Sequence, residues 1–209
     1  MNRRAMRKTQ LLRPLFALAL VAATAACGGP SQPPLSQAPL AGARIGGDFT
    51  LTDSTGKRVS WADFAGKWRT VYFGYTYCPD ACPLDMTVLM QGVQKYAEAE
   101  PALAAKLQPV FVSIDPERDT PQRVGEFAGA FKPPVVGLTG TRAEIDAAAK
   151  AFAVYHARGE TVPGGYLMDH SRVAYLFDPQ GKPVAVLPID KGIKEGPAAV
   201  AAELKLWVR

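Results

Sequence analysis

Apolar positions along this 209-residue chain fall into short runs whose period changes from one run to the next. Thr70-Val71-Tyr72-Phe73-Gly74-Tyr75 is β-branched and aromatic, and Pro109-Val110-Phe111-Val112-Ser113-Ile114-Asp115 is almost continuously apolar. The first reads as a strand, and the second carries the pattern of a strand buried on both faces. Between them Leu84, Met86, Val88, Leu89 and Met90 recur at helical spacing, which predicts a helix opening near Pro79 or Pro83 and running to about residue 98. Thr120-Pro121 caps a second helix that reaches about residue 131. After a short strand at 135–138, Thr141-Arg142-Ala143-Glu144 is a capping box for a third, reaching about residue 152. Two hairpins frame this core. The early one joins 48–53 to 58–61 across Ser54-Thr55-Gly56-Lys57, and the late one joins 172–177 to 183–187 across Asp178-Pro179-Gln180-Gly181. Residues 153–156 read as strand, 159–165 as a loop rich in Pro and Gly, and 197–208 as a closing helix. The alternation predicts a single α/β domain with a mixed central sheet covered by helices on both faces and an extra N-terminal hairpin.

Charge adds a leader to this picture. The net charge of +5 comes from 24 basic and 19 acidic residues, but Arg3, Arg4, Arg7, Lys8 and Arg13 lie in 1–26, which has no acid. The remaining 19 bases balance the 19 acids, so the charge makes no case for a nucleic-acid partner. The basic start, the apolar run 15–26 and the small residues before Cys27 read as an export signal, too short to span a membrane as a helix. Thr24-Ala25-Ala26-Cys27-Gly28 resembles a bacterial lipoprotein cleavage box in which Cys27 becomes the lipidated first residue. Thr24 stands where such boxes carry Leu, so an uncleaved anchor and ordinary secretion stay open. Residues 27–46, rich in Pro and Gly, read as a membrane tether, which leaves 47–209 as the folded domain on the periplasmic side of the membrane.

Of three cysteines, Cys78 and Cys82 remain for chemistry. They sit in Tyr77-Cys78-Pro79-Asp80-Ala81-Cys82-Pro83, where a strand ends and a helix begins, the thioredoxin-like placement. Their spacing suits either a disulfide or one bound metal ion, and a helix N-terminus favours the thiolate. Of the two histidines, His170 follows Asp169 just before a strand, where it is either a side chain reaching the cysteine loop across the sheet top or a surface histidine at a strand start, while His156 reads as a strand residue. Two sulfurs and an imidazole make a soft site suited to Cu(I), open to Cu(II) with a further ligand, and chemically able to take zinc. Asp169 is a candidate to orient His170, and Asp80 to attract a cation. Met86 and Met168 read as core, and 115–121 as a strand-to-helix turn whose charges are solvated or paired locally.

Three stretches together resemble the Sco/SenC family of copper-handling, thioredoxin-like proteins. They are Phe73-Gly74-Tyr75-Thr76-Tyr77-Cys78-Pro79-Asp80-Ala81-Cys82-Pro83, Val112-Ser113-Ile114-Asp115-Pro116-Glu117-Arg118-Asp119-Thr120-Pro121 and Tyr166-Leu167-Met168-Asp169-His170-Ser171. The resemblance runs from about residue 45 to 207, with Met168 where the family often has an aliphatic residue. It implies that Cys78, Cys82 and His170 are copper ligands and that the protein helps assemble the binuclear copper centre of cytochrome c oxidase. The implied partners are the copper-accepting oxidase subunit, a thiol reductant protein and, through the N-terminal anchor, the membrane. A thiol:disulfide reductase using Cys78 and Cys82 as a redox pair, serving the cysteines of the oxidase copper site, is the second reading. A thiol peroxidase is the third.

Overall fold

The computed structural model describes residues 32–209. The leader and Cys27 lie outside the described residues. Strands β1 (Thr50–Asp53) and β2 (Arg58–Ser60) form the early hairpin; β3 (Trp68–Gly74) follows, then helices α1 (Ala81–Ala99) and α2 (Pro101–Ala104). β4 (Leu107–Ser113), α3 (Pro121–Gly129), β5 (Val136–Thr139) and α4 (Arg142–Ala151) complete the alternating part. β6 (His156–Val162), β7 (Gly165–His170), β8 (Ala174–Phe177), β9 (Pro183–Leu187) and α5 (Gly192–Trp207) close the chain.

Seven strands make one mixed sheet in the order β2-β1-β5-β4-β3-β8-β9. β3 pairs parallel with β4 and antiparallel with β8, so it is central, and every one of its residues is buried. Alternation along β3 divides the core. Tyr72 meets Phe111 of β4, which meets Phe127 of α3, on the face that α1 also covers; Phe73 meets Phe152, at the end of α4, on the other. Helices α1 and α5 pack closely enough that a Cβ on Gly92 would fall 2.5 Å from Val200.

Three expectations need correction. Residues 32–46 are not free tether. Leu35, Leu40 and Ile45 pack against the core, Ala38 is buried, and the Leu40 amide donates to the Val184 carbonyl, so the segment covers the edge strand β9. Its apolar residues are sparse but spaced to reach that edge. Residues 159–165 are not a loop either: they belong to the β6–β7 hairpin, whose turn is only Pro163-Gly164. The closing helix starts at Gly192 rather than Pro197, which sits inside it. Among the described residues no helix is long and apolar enough to cross a membrane.

Candidate metal centre

The strand β3 delivers the chain to Tyr75, Thr76 and Tyr77, and α1 begins just past Cys78, at Ala81. Asp80 occupies the N-cap position, yet its side chain caps nothing. The first turn of a helix leaves amides without partners. Here the Cys82 amide donates to Cys78 Sγ at 3.2 Å, so the sulfur does the capping. Pro83 follows and has no amide to satisfy. Cys78 therefore lies ahead of the helix and Cys82 within its first turn.

The two thiols are free and unequal. Cys82 is fully buried, while Cys78 is partly exposed. The Cys82 thiol, the amides of Cys82 and Asp80 and the Tyr75 hydroxyl all hydrogen-bond Cys78, and against the opposing effect of burial they hold its pKa at about 5. Cys82 is pushed up, first because it shares its proton with Cys78 and then by burial. One thiolate and one thiol result.

His170 ends β7, and its Nε2 lies 3.3 Å from Cys82 Sγ although 88 residues separate them in sequence. Its Nδ1 stands 3.0 Å from the Ser171 carbonyl oxygen. A carbonyl can only accept, so Nδ1 carries the proton and Nε2 turns a lone pair toward the sulfurs. Burial lowers the His170 pKa, against the opposing effects of that carbonyl and the Cys78 thiolate, and favours the neutral imidazole. The edges of Tyr72 and Tyr75 bracket the ring, with centroids 6.2 and 6.0 Å away. Asp169 does not orient it. Strand alternation turns Asp169 to the exposed face, where its carboxylate lies over Gly159. The Ser171 carbonyl takes that role instead.

Two sulfurs and one imidazole nitrogen thus converge beside a cleft of about 410 Å³ lined by Tyr75, Cys78, Pro79, Tyr155, Leu167 and His170. The donor types fit a soft ion. Among the described residues no three His, Cys, Asp or Glu side chains are gathered closely enough to hold a metal ion as they stand, so these donors are neighbours rather than an assembled metal site. His156 opens β6 directly across from His170, but its Nε2 meets Asp146 Oδ1 at 3.3 Å. Met86 and Met168 are buried as core residues.

Sequence reading missed the groups that support this centre. Asp85 is 1% exposed and accepts from the Tyr72 hydroxyl at 2.9 Å and from Arg172 Nε and Nη2 at 2.9 and 2.6 Å. Its position three residues past Cys82, on the apolar face of α1, was the available signal. The turn at 115–121 pairs locally in part, Asp115 with Arg118, but Asp119 is tied to a distant segment. Asp115 and Asp119 are fully buried; Asp119 accepts from the Thr76 amide and hydroxyl at 3.0 and 2.6 Å and from Ser113 Oγ at 2.6 Å, anchoring the cysteine loop.

The SCO1/SenC family model matches residues 37–208. The chain belongs to the SCO1/SenC family. It is 42% identical over 147 residues to the mitochondrial protein SCO1 homolog 1 of Arabidopsis thaliana, covering 70% of this chain and 43% of that one. The chain spans about half the length of the curated relatives it matches. Among solved structures, Arabidopsis thaliana ScoI with copper bound is 38% identical with a TM-score of 0.70, covering 77% of this chain and 95% of that one. BsSco, described as a member of the Sco family of cytochrome c oxidase assembly proteins with a disulfide switch, is 26% identical with a TM-score of 0.58, covering 78% and 92%. The SCO1/SenC fold around the two cysteines and His170 is thioredoxin-like.

Proposed function

We propose that this chain is a copper chaperone that holds one copper ion through Cys78, Cys82 and His170 and delivers it to the binuclear copper centre of cytochrome c oxidase. The observation that carries this reading is His170 Nε2 at 3.3 Å from Cys82 Sγ, with Cys78 Sγ against the Cys82 amide. Thioredoxin-type exchange needs the cysteines alone; a neutral imidazole aimed at them adds a donor for a metal. Copper is cargo here, so a partly open donor set and an adjoining cleft suit its handover by ligand exchange. Anchorage by a lipidated Cys27 on the periplasmic face would place this domain beside a membrane oxidase. The reading is tested by mixing copper-loaded chain with the copper-free accepting domain of the oxidase and measuring where the copper resides after separation. Retention by this chain rejects delivery. Loss of lipid labelling in Cys27→Ser tests the anchor.

The thiol:disulfide reductase reading has its own support in the unequal pair: a partly exposed Cys78 thiolate able to attack a disulfide and a Cys82 thiol able to resolve it. Target reduction that needs both cysteines but not His170 would favour it. The peroxidase reading lacks support, because the groups that stabilise the Cys78 thiolate are Cys82, the Asp80 amide and Tyr75, none of them a guanidinium.

A further inference from the structure

His170 rides on a hairpin that stands outside the main sheet. Among the described residues β6 and β7 pair only with each other, so side chains must hold the hairpin against the body. Period-two alternation puts Tyr166, Met168 and His170 on one face of β7. Tyr166 and Met168 are buried, which identifies this face as the one turned inward. His170 is at its base and Tyr166 four residues along, roughly 13 Å toward the turn.

Three segments meet at Arg118. Its Nε donates to Asp115 Oδ2 at 2.5 Å, just past the end of β4. Its Nη1 donates to the Tyr166 carbonyl oxygen at 2.8 Å, and its guanidinium lies 3.6 Å from the Tyr166 ring centroid. The same guanidinium lies 4.9 and 5.8 Å from the ring centroids of Tyr77 and Tyr75, in the loop that carries Cys78. Tyr166 reciprocates: its hydroxyl donates to Asp115 Oδ1 at 2.8 Å and stands 3.2 Å from Glu117 Oε2. Arg118 Nη2 is buried without a hydrogen-bond partner, among rings that a flexible ammonium would engage less well than a planar guanidinium. The hairpin is also held by the Met168 amide against Tyr75 and by His156 against Asp146, whose carboxylate is half exposed.

We propose that Arg118 and Tyr166 form a latch that docks the β6–β7 hairpin onto the cysteine loop and thereby positions His170 as the third copper donor. The second half of this statement rests on the ligand set proposed above; the docking half does not. Neither residue touches the metal, so both are positioning residues.

Two readouts on the full chain in detergent micelles separate the halves. In metal-free protein, hydrogen exchange of the 156–170 amides should be faster by roughly tenfold or more in Arg118→Ala, with β3, β4 and β8 unchanged. Tyr166→Phe, which keeps the ring and loses the bonds to Asp115 and Glu117, should show a smaller change in the same segment and remains available if Arg118→Ala does not fold. Hairpin exchange equal to wild type in the folded variants overturns the latch whatever copper does. With Cu(I) and a competing chelator, Arg118→Ala should weaken binding about 10- to 100-fold, the cost usual for groups that orient a ligand. The double variant with His170→Ala should bind no more weakly than His170→Ala alone. Additive losses show that Arg118 does not act through His170 and overturn the positioning claim. If His170→Ala itself leaves affinity unchanged, the ligand set has failed and the positioning half falls with it, while exchange still decides the docking half.

Discussion

Arg172 grips Asp85 with two nitrogens, Nε at 2.9 Å and Nη2 at 2.6 Å, one helical turn beyond Cys82. Asp85 is 1% exposed, whereas half of the Arg172 side chain faces water. Removing the guanidinium leaves a buried carboxylate with Tyr72 as its remaining hydrogen-bond partner. Arg172→Ala should therefore cost about 3 kcal/mol, the low end for a broken buried pair because water can enter where Arg172 stood. Asp85→Asn in that background should return part of the loss, since no charge then stays buried. Urea denaturation of the reduced, metal-free chain checks both; a loss below about 0.5 kcal/mol, usual for a surface change, would show that the pair contributes nothing of note.

The cysteines should react one at a time. With Cys78 held at about 5 and Cys82 pushed above the usual thiol range, iodoacetamide should modify Cys78 and spare Cys82 in the folded reduced protein. Its rate should rise through a midpoint near pH 5 and stay flat from about 6 to 8. The linked effect on stability has a definite sign. A thiol whose pKa drops on folding stabilises the fold most above its unfolded value and loses that contribution as pH falls through the folded one. Reduced protein should thus gain stability between about pH 5 and 9, and Cys78→Ser should remove that gain. Equal modification of both cysteines at neutral pH would contradict the asymmetry.

Asp119 anchors the cysteine loop through three accepted hydrogen bonds while fully buried. Asp119→Ala leaves the Thr76 amide without its acceptor, at a cost of roughly 1–3 kcal/mol. It should also make Cys82 modifiable in the native state. Mass spectrometry after brief alkylation detects this directly, and continued protection of Cys82 would show that the loop does not depend on Asp119.

The segment 32–46 should prove part of the domain. Gln32 Nε2 donates to the carbonyls of Lys205 and Val208, Arg209 Nη2 donates to that of Pro33, and Leu40 covers β9. A chain starting at 47 should lose about 2 kcal/mol relative to one starting at 32, lowering Tm by roughly 4–8 °C, and should aggregate more readily through the uncovered edge. Matching melting curves would mean that the segment merely rests on the surface.

The sequence made the alternating core legible because its strands are mostly apolar and two of its helices carry side-chain caps: Thr120 and Thr141 cap α3 and α4 as their spacing implied. It revealed less where structure depends on few apolar residues. The β6–β7 hairpin has four polar or charged residues among the seven of β6, and 32–46 has only isolated apolar residues, so neither shows a period. At the site, the cysteines and His170 declared themselves by residue type and motif. Their supports did not. Asp85, Asp119 and Arg118 act through partners 87, 43 and 48 residues away, and no local pattern encodes such a pairing. Asp169 misled because adjacency in a strand means opposite faces.

The central claim is that Cys78, Cys82 and His170 hold copper together. It is tested most directly by anaerobic Cu(I) titration of the reduced chain against a competing chelator, with wild type and His170→Ala side by side. The account predicts tight one-to-one binding that weakens at least tenfold in the variant, as expected when one of three soft donors is lost. Binding that is weak in both, or indifferent to His170, would contradict it and leave the cysteine pair to thiol–disulfide exchange.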